Sequence, residues 1–227
     1  MGFAYERIDS TVKELFLIRH GRQGSKLCNV DVSLDDVGRR QAALLAERLA
    51  GYGIERLYSS ALKRALETAQ IVGDRLEVVP EVVQDLHEID FGTMTGKEDS
   101  VIAKEYAQFR EERAQQTSDL PYPGGESGKD VVARVMPRVE EICRRPETRV
   151  ALVVHGGVIR AVCAHILETD LKNKLKFSID LENTSITQIT YEEKRELYYL
   201  ERLNDFAHLE THPELLRNNW KPSLIRS

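Results

Sequence analysis

Two histidines in this chain stand directly after runs of apolar residues. Leu15-Phe16-Leu17-Ile18 leads into Arg19-His20-Gly21, and Val150 to Val154 leads into His155-Gly156-Gly157. Two further apolar stretches end in polar groups. Ile54 to Tyr58 is followed by Ser59-Ser60 and then Arg64, while Val78-Val79 and Val82-Val83 precede Leu86-His87-Glu88. In open parallel α/β sheets, ligands bind beyond the carboxyl ends of the strands. Four such groups at one sheet edge place two imidazoles, two guanidiniums and a carboxyl group around one crevice.

That set suits phosphoryl transfer. Two arginines offer planar, permanently charged forks that match phosphate oxygens in pairs. A neutral imidazole is a competent nucleophile near neutral pH. A carboxyl group kept protonated by its surroundings can deliver a proton to a leaving alkoxide. Nothing in the set resembles a cage for a divalent ion, so the expected source of positive charge is the protein itself, with no metal and no cofactor.

The elements that must position these groups alternate between short apolar runs and longer helix-period segments, as in a sheet with crossover helices. After the first strand a polar loop leads to a helix from about Asp36 to Ala50, with Asp35 as N-cap and Gly51 or Gly53 as its stop. A helix from Ala61 to Gly73 is expected to turn Leu62, Leu66 and Ala69 inward. That places Arg64 on the other side, as for a surface arginine. Val78 to Val83 reads as a third extended stretch. Lys97 to Gln116 is charged and helical, and Pro121-Tyr122-Pro123-Gly124-Gly125 breaks it. Further helices are expected over Gly128 to Cys143 and Val158 to Leu167. Ser185 to Tyr191 and Glu196 to Leu203 read as a hairpin around Glu192-Glu193-Lys194, followed by a tail with a weak helix signal and the lone Trp220.

These blocks together resemble the histidine phosphatase superfamily, also called the phosphoglycerate mutase-like family. Leu17-Ile18-Arg19-His20-Gly21 is similar to its RHG signature. Ser33-Leu34-Asp35-Asp36-Val37-Gly38-Arg39-Arg40-Gln41-Ala42 is similar to its PLT-x-x-G-x-x-QA helix start, and the stretch Tyr58 to Ala69 to its SS-x-x-x-RA-x-TA block. Leu86 to Gly92 with Gly96, Pro123-Gly124-Gly125-Glu126-Ser127, and Val153 to Arg160 complete the series, which spans about positions 14 to 191. The resemblance implies a three-layer α/β/α sandwich with a mostly parallel central sheet. It implies a single domain over 1–227, with a core at about 13–204, a helical insertion at about 97–127 over the pocket, and a tail at 205–227. His20 becomes the nucleophile that forms phosphohistidine, and Arg19, Arg64 and His155, with Gly156, line the phosphate pocket. Glu88 becomes the general acid of the first step and the base of the second.

Two departures from the family pattern bear on the pocket. Arg22-Gln23 replaces the usual Glu or Gln followed by Thr or Ser, and the loop from His20 to Leu34 is short. Arg22 either adds a third guanidinium or points into solvent, and the pocket's polar contact falls to Asn29 or Ser25. Tyr106, Phe109, Arg110 and Tyr122 lie in the insertion that overhangs the pocket in this family.

Other motifs fail on context. Cys143 and Arg149 have the C-x5-R spacing of cysteine phosphatases, but a helix precedes the cysteine and a strand follows the arginine. His208 and His212 could share a helix face as metal ligands, yet Pro213 follows at once and no third ligand is evident, so they read as a surface pair. A phosphoglycerate mutase is the nearest rival, disfavoured by the short stretch between Glu88 and Pro123. A non-catalytic module that binds a phosphorylated ligand is a second rival, disfavoured because binding needs no proton donor.

The bulk numbers agree with a globular enzyme. Of 227 residues, 41% are hydrophobic and 30% charged, and a net charge of -5 argues against nucleic acid as a partner. Three cysteines without a CxxC point to a reducing compartment. With no apolar run of about 20 residues and no signal-peptide core, a cytoplasmic location without membrane contact is expected. The expected partner is a small phosphorylated metabolite, with a phosphoprotein as the alternative. The oligomeric state is open.

Overall fold

The computed structural model describes residues 12–217. Six strands form one sheet in the order β3-β2-β4-β1-β5-β6. The strands are β1 (Val12–Arg19), β2 (Arg56–Ser59), β3 (Glu81–Val82), β4 (Arg149–Val154), β5 (Ile186–Glu192) and β6 (Leu197–Asp205). β3, β2, β4 and β1 run parallel, and β5 and β6 complete the sheet antiparallel.

Side-chain alternation along β1 explains the layers. Leu15 and Leu17 join one apolar cluster, while Phe16 and Ile18 join another. A strand buried on both faces is a near-continuous apolar run, and β1 and β4 both have that character. One face is covered by α1 (Asp36–Leu49) and α2 (Lys63–Leu76) through Leu45, Leu49, Ala65, Ala69 and Val72. The other is covered by α5 (Gly128–Cys143) and α6 (Gly156–Ile166) through Val131, Val135, Val139, Val158 and Val162. α3 (Asp99–Glu105) and α4 (Ala107–Gln115) lie between the Glu88 segment and α5 in the chain. Helix starts follow local chemistry. The Asp35 carboxylate accepts from Gly38 N at 2.7 Å, and Ser127 and Asp130 form a reciprocal capping box at α5.

α1 ends at Leu49 with Ala50 as its cap and Gly51 next, within one residue of the expected end. Three expectations need correction. α2 begins at Lys63 and buries Arg64, Ala65, Thr68, Ala69 and Val72, while Leu62 and Leu66 are only half-buried. Small residues let this helix approach the sheet closely, and the leucines flank the contact. The third extended stretch shrinks to Glu81–Val82, with Val79 86% exposed. The charged segment after Lys97 divides into α3 and α4 at Tyr106, whose ring hydroxyl bonds Thr93 O at 3.0 Å.

The tail after β6 has two one-turn 3-10 helices, Ala207–Leu209 and Pro213–Leu215, where a weak α-helix signal was read. Leu209 and Leu215 are buried, and Gln41 Nε2 donates to Leu215 O at 2.8 Å. Trp220 lies outside the described residues. No helix among the described residues is long and apolar enough to cross a membrane.

Candidate active site

Parallel registry collects the chemistry. Arg19 pairs with Val154 across β1 and β4, and Val153 pairs with Ser59 across β4 and β2. His20, Ser60 and His155 therefore leave three adjacent strands at one edge. The rings of His20 and His155 come within 5.1 Å, centroid to centroid.

His20 is 5% exposed, and its hydrogen bonds fix its tautomer. Nε2 lies 3.2 Å from Arg64 Nε, and a guanidinium only donates. Nε2 is thus the unprotonated nitrogen, and Nδ1–H donates to Gly21 O at 2.7 Å. Burial, then the Arg64 and Arg19 charges, hold the His20 imidazole well below its ordinary pKa. A neutral ring with its Nε2 lone pair inside a cationic pocket can attack an electrophilic phosphorus.

The backbone around His20 is tied on every side. His20 N donates to Val154 O at 3.0 Å, Gly21 N to Thr68 Oγ1 at 3.0 Å, and Arg22 N to Gln41 Oε1 at 2.9 Å. Asn183 Nδ2 donates to His20 O at 2.9 Å. A Cβ on Gly38 would lie 2.1 Å from Arg22 O, so α1 can approach this loop only with glycine there.

Arg64 is 2% exposed, not the surface residue its sequence position suggested. Sitting in the first turn of α2, it faces the sheet edge. Nη2 donates to Asn29 Oδ1 at 2.8 Å and Nη1 to Val30 O at 2.9 Å. Asn29 adopts a left-handed φ of 47°, which asparagine tolerates better than most residues. Arg19 has Nη1 bonded to Leu181 O, and its buried Nε has no hydrogen-bond partner among the described residues. Burial, and next the nearby Arg217 charge, lower Arg19 to about 9.

His155 is fully buried, and its Nε2 lies 2.8 Å from Ser60 Oγ. Its Nδ1 is buried without a partner. Burial, then His20, Arg64 and Arg19, keep His155 well below its ordinary pKa. Arg19 Nε and His155 Nδ1 are thus two buried nitrogens near His20 without a hydrogen-bond partner among the described residues, and such groups cost free energy unless a ligand satisfies them.

Glu88 borders the same cavity. Its Oε1 accepts from Gly157 N at 3.0 Å and from Ile89 N at 2.9 Å, and Oε2 has no hydrogen-bond partner among the described residues. A Cβ on Gly157 would lie 2.5 Å from that Oε1, so this helix start needs glycine. Gly156 heads α6 and borders the neighbouring cavity. The main cavity holds about 730 Å3 and is walled by Arg19, His20, Asn29, Arg64 and Glu88 with the 22–28 loop. His155 sits behind this wall.

The remaining sequence candidates fall at the rim. Arg22 is half exposed and paired with Asp35 at 2.6 Å, while Ser25 Oγ accepts from Leu27 N at 3.1 Å. Tyr122 borders the adjoining cavity, whereas Tyr106 and Phe109 pack on the core. His208 and His212 are not a surface pair, because His208 Nε2 lies 3.0 Å from Thr184 Oγ1 behind the site. Among the described residues, no three His, Cys, Asp or Glu side chains form a group that could hold a metal ion.

Sequence reasoning missed Arg134, Asn183 and Arg217. Arg134 donates to the backbone oxygens of Asp85, His87 and Glu88 and is clamped by Glu126 at 2.8 and 2.9 Å. Its partner lies in the Pro123-Gly124-Gly125-Glu126-Ser127 block, the one signal that could have pointed to it.

The sequence pattern of the histidine phosphatase superfamily (branch 1) matches residues 15–205. The chain belongs to this superfamily. It is 32% identical over 219 residues to a metal-independent phosphoserine phosphatase of Arabidopsis thaliana, covering 89% of this chain and 86% of that protein. It is 36% identical over 177 residues to phosphoglycerate mutase-like protein 4 of the same plant, covering 70% and 73%. Among solved structures, a mycobacterial glucosyl-3-phosphoglycerate phosphatase in complex with inorganic phosphate superposes with a TM-score of 0.77 at 30% identity, covering 86% and 99%.

Proposed function

We propose that this chain is a metal-independent phosphomonoesterase acting on a small phosphorylated metabolite through a phosphohistidine on His20. The observation that carries this reading is the His20 tautomer, with Nδ1–H spent on Gly21 O and an unprotonated Nε2 whose lone pair accepts only from Arg64 Nε, a bond that a phosphoryl group would displace. The named relatives, a phosphoserine phosphatase and a glucosyl-3-phosphoglycerate phosphatase, support hydrolysis of such esters.

In the first step His20 Nε2 forms a bond to phosphorus while the P–O bond to the leaving alcohol breaks. Glu88 supplies, from Oε2, the proton that goes to the departing oxygen. Arg19, Arg64 and His155 Nδ1–H hold the three oxygens that carry the transition-state charge. In the second step ionised Glu88 takes a proton from water, whose oxygen attacks phosphorus. The P–N bond breaks and returns its electron pair to Nε2.

Hydrolysis of p-nitrophenyl phosphate in excess EDTA, compared between the wild type and His20→Ala, tests this reading. Turnover that survives EDTA and vanishes in the variant is expected. Activity that needs a metal, or persists without His20, overturns it.

A further inference from the structure

A second cavity of about 520 Å3 adjoins the first, and Arg19, Glu88, Phe91 and Arg217 border both. Cations outnumber carboxylates on its walls. Arg113, Arg160, Lys174 and Arg217 face two carboxylates, Glu88 and Asp180. Lys174 is committed to Asp119, and Arg113 lies 4.4 Å above the Tyr122 ring. Arg160 spends Nη2 on Ser178 O and Ile179 O, while its Nε is buried without a partner.

Arg217 comes from the segment after β6. Glu182 Oε2 accepts from its backbone N at 3.1 Å, and Glu182 is itself fully buried. That tether sets the guanidinium beside Arg19, where Nη1 of each arginine donates to the same carbonyl, Leu181 O. The Asp180 carboxylate is 3.9 Å from Arg217 Nη2, beyond hydrogen-bond length. Two guanidiniums on one neutral oxygen repel, and an anion between the two cavities relieves that repulsion.

We infer that Arg217 and Arg160 form a second anion subsite, and that the preferred substrates carry a carboxylate or a second phosphate near the scissile phosphoryl group. This assignment rests on the phosphatase reading for its substrate language, but its test needs no turnover. Arg217 is a specificity-determining residue contributed by the tail, and the 178–182 loop supplies the carbonyls that aim both arginines.

Binding of 3-phosphoglycerate, glycerol 3-phosphate and propane-1,3-diyl bisphosphate to the His20→Ala protein is measured by titration calorimetry. At least one doubly anionic ligand should bind about tenfold or more tighter than glycerol 3-phosphate, the range of a charge-assisted contact. A larger advantage for 3-phosphoglycerate assigns the subsite to carboxylate, and one for the bisphosphate assigns it to phosphate. Adding Arg217→Gln should collapse the advantage, and Arg217→Lys should retain part of it. The advantage is a ratio within one sample, so a partly folded variant still reports it. Equal affinity for all three ligands, or an advantage unchanged by Arg217→Gln, overturns the subsite. A wild type that hydrolyses no ester overturns the phosphatase reading and leaves this ratio to decide the subsite separately.

Discussion

Ser60→Ala is the sharpest probe of how the second histidine works. Ser60 Oγ accepts from Leu62 N at 3.3 Å, so its single O–H is free to donate to His155 Nε2 at 2.8 Å. That donation leaves the ring proton on Nδ1, the nitrogen without a partner, where it can donate to a bound phosphoryl oxygen. With the hydroxyl removed, Nε2 becomes a buried acceptor with nothing to accept from, and the tautomer with the proton on Nε2 gains. In that tautomer Nδ1 presents a lone pair to an anion. A buried polar group left without its partner costs about 1–3 kcal/mol. At about 1.36 kcal/mol per tenfold, kcat/KM should fall by about 5- to 150-fold.

The assay is steady-state hydrolysis of p-nitrophenyl phosphate, with urea unfolding to separate activity from folding. Ser59→Ala is the matched control, since its buried hydroxyl donates only to the carbonyl of Ser60. The loss should appear in kcat as well as in KM, because the Nδ1–H contact strengthens as charge develops on the phosphoryl oxygens. A Ser60→Ala enzyme within about twofold of the wild type would refute the tautomer argument. His155 would then act as packing behind His20.

Three other outcomes follow from the same geometry. With p-nitrophenyl phosphate, whose leaving group needs no proton donor, Glu88→Gln should slow turnover by about 10²- to 10⁴-fold, and intact-protein mass spectrometry should show one retained phosphoryl group on the quenched enzyme, since water loses its base. Arg134→Ala should destabilise the fold by about 3 kcal/mol in urea unfolding, because it strands a mostly buried Glu126 and frees the Glu88 backbone. A loss below about 0.5 kcal/mol would show the clamp to be dispensable. Stability should fall as pH drops below 6.5, because His20, His155 and His208 are held below that ordinary value when folded while the unfolded chain takes up protons. Burial and then the Arg48 charge lower His208 to about 4, so its share is at most about 3 kcal/mol between pH 6.5 and 4, and His208→Gln should flatten the slope.

What could be read in the sequence was what repeats or what is local. The solid apolar runs Leu15 to Ile18 and Val150 to Val154 give the central strands, and Ser127 with Asp130 marks the start of α5. The residues directly after those strands are placed by the sheet itself, so His20, Arg19 and His155 were legible. Arg64 was legible as a residue but not as a direction. Of the stripe expected to face inward on α2, Ala69 meets the sheet together with Ala65, while Leu62 and Leu66 flank the contact. Asn29 was one of two candidates for the pocket's polar contact and bonds Arg64, 35 positions away, whereas Arg217 had no local signal, since it matters through a carbonyl 36 positions away.

The placement of Glu88 separates what is fixed in this site from what is free to vary. Its Oε1 is held by Gly157 N, at the start of the helix that follows His155. Any displacement of α6 therefore carries the Glu88 carboxyl group, the proposed proton donor, and the His155 imidazole together, which keeps their spacing constant. Arg134 grips the carbonyls on either side of the same residue from α5, and Glu126 holds both Arg134 and Asp90 N. The acid is thus pinned by backbone groups and one ion pair, none of which touches the second cavity's far wall. That wall comes from α4, the 178–182 loop and the tail, and the loop is tied back by Arg19 to Leu181 O and by Arg160 to Ser178 O and Ile179 O. Substitution there can retune which ester is held without moving the groups that break it.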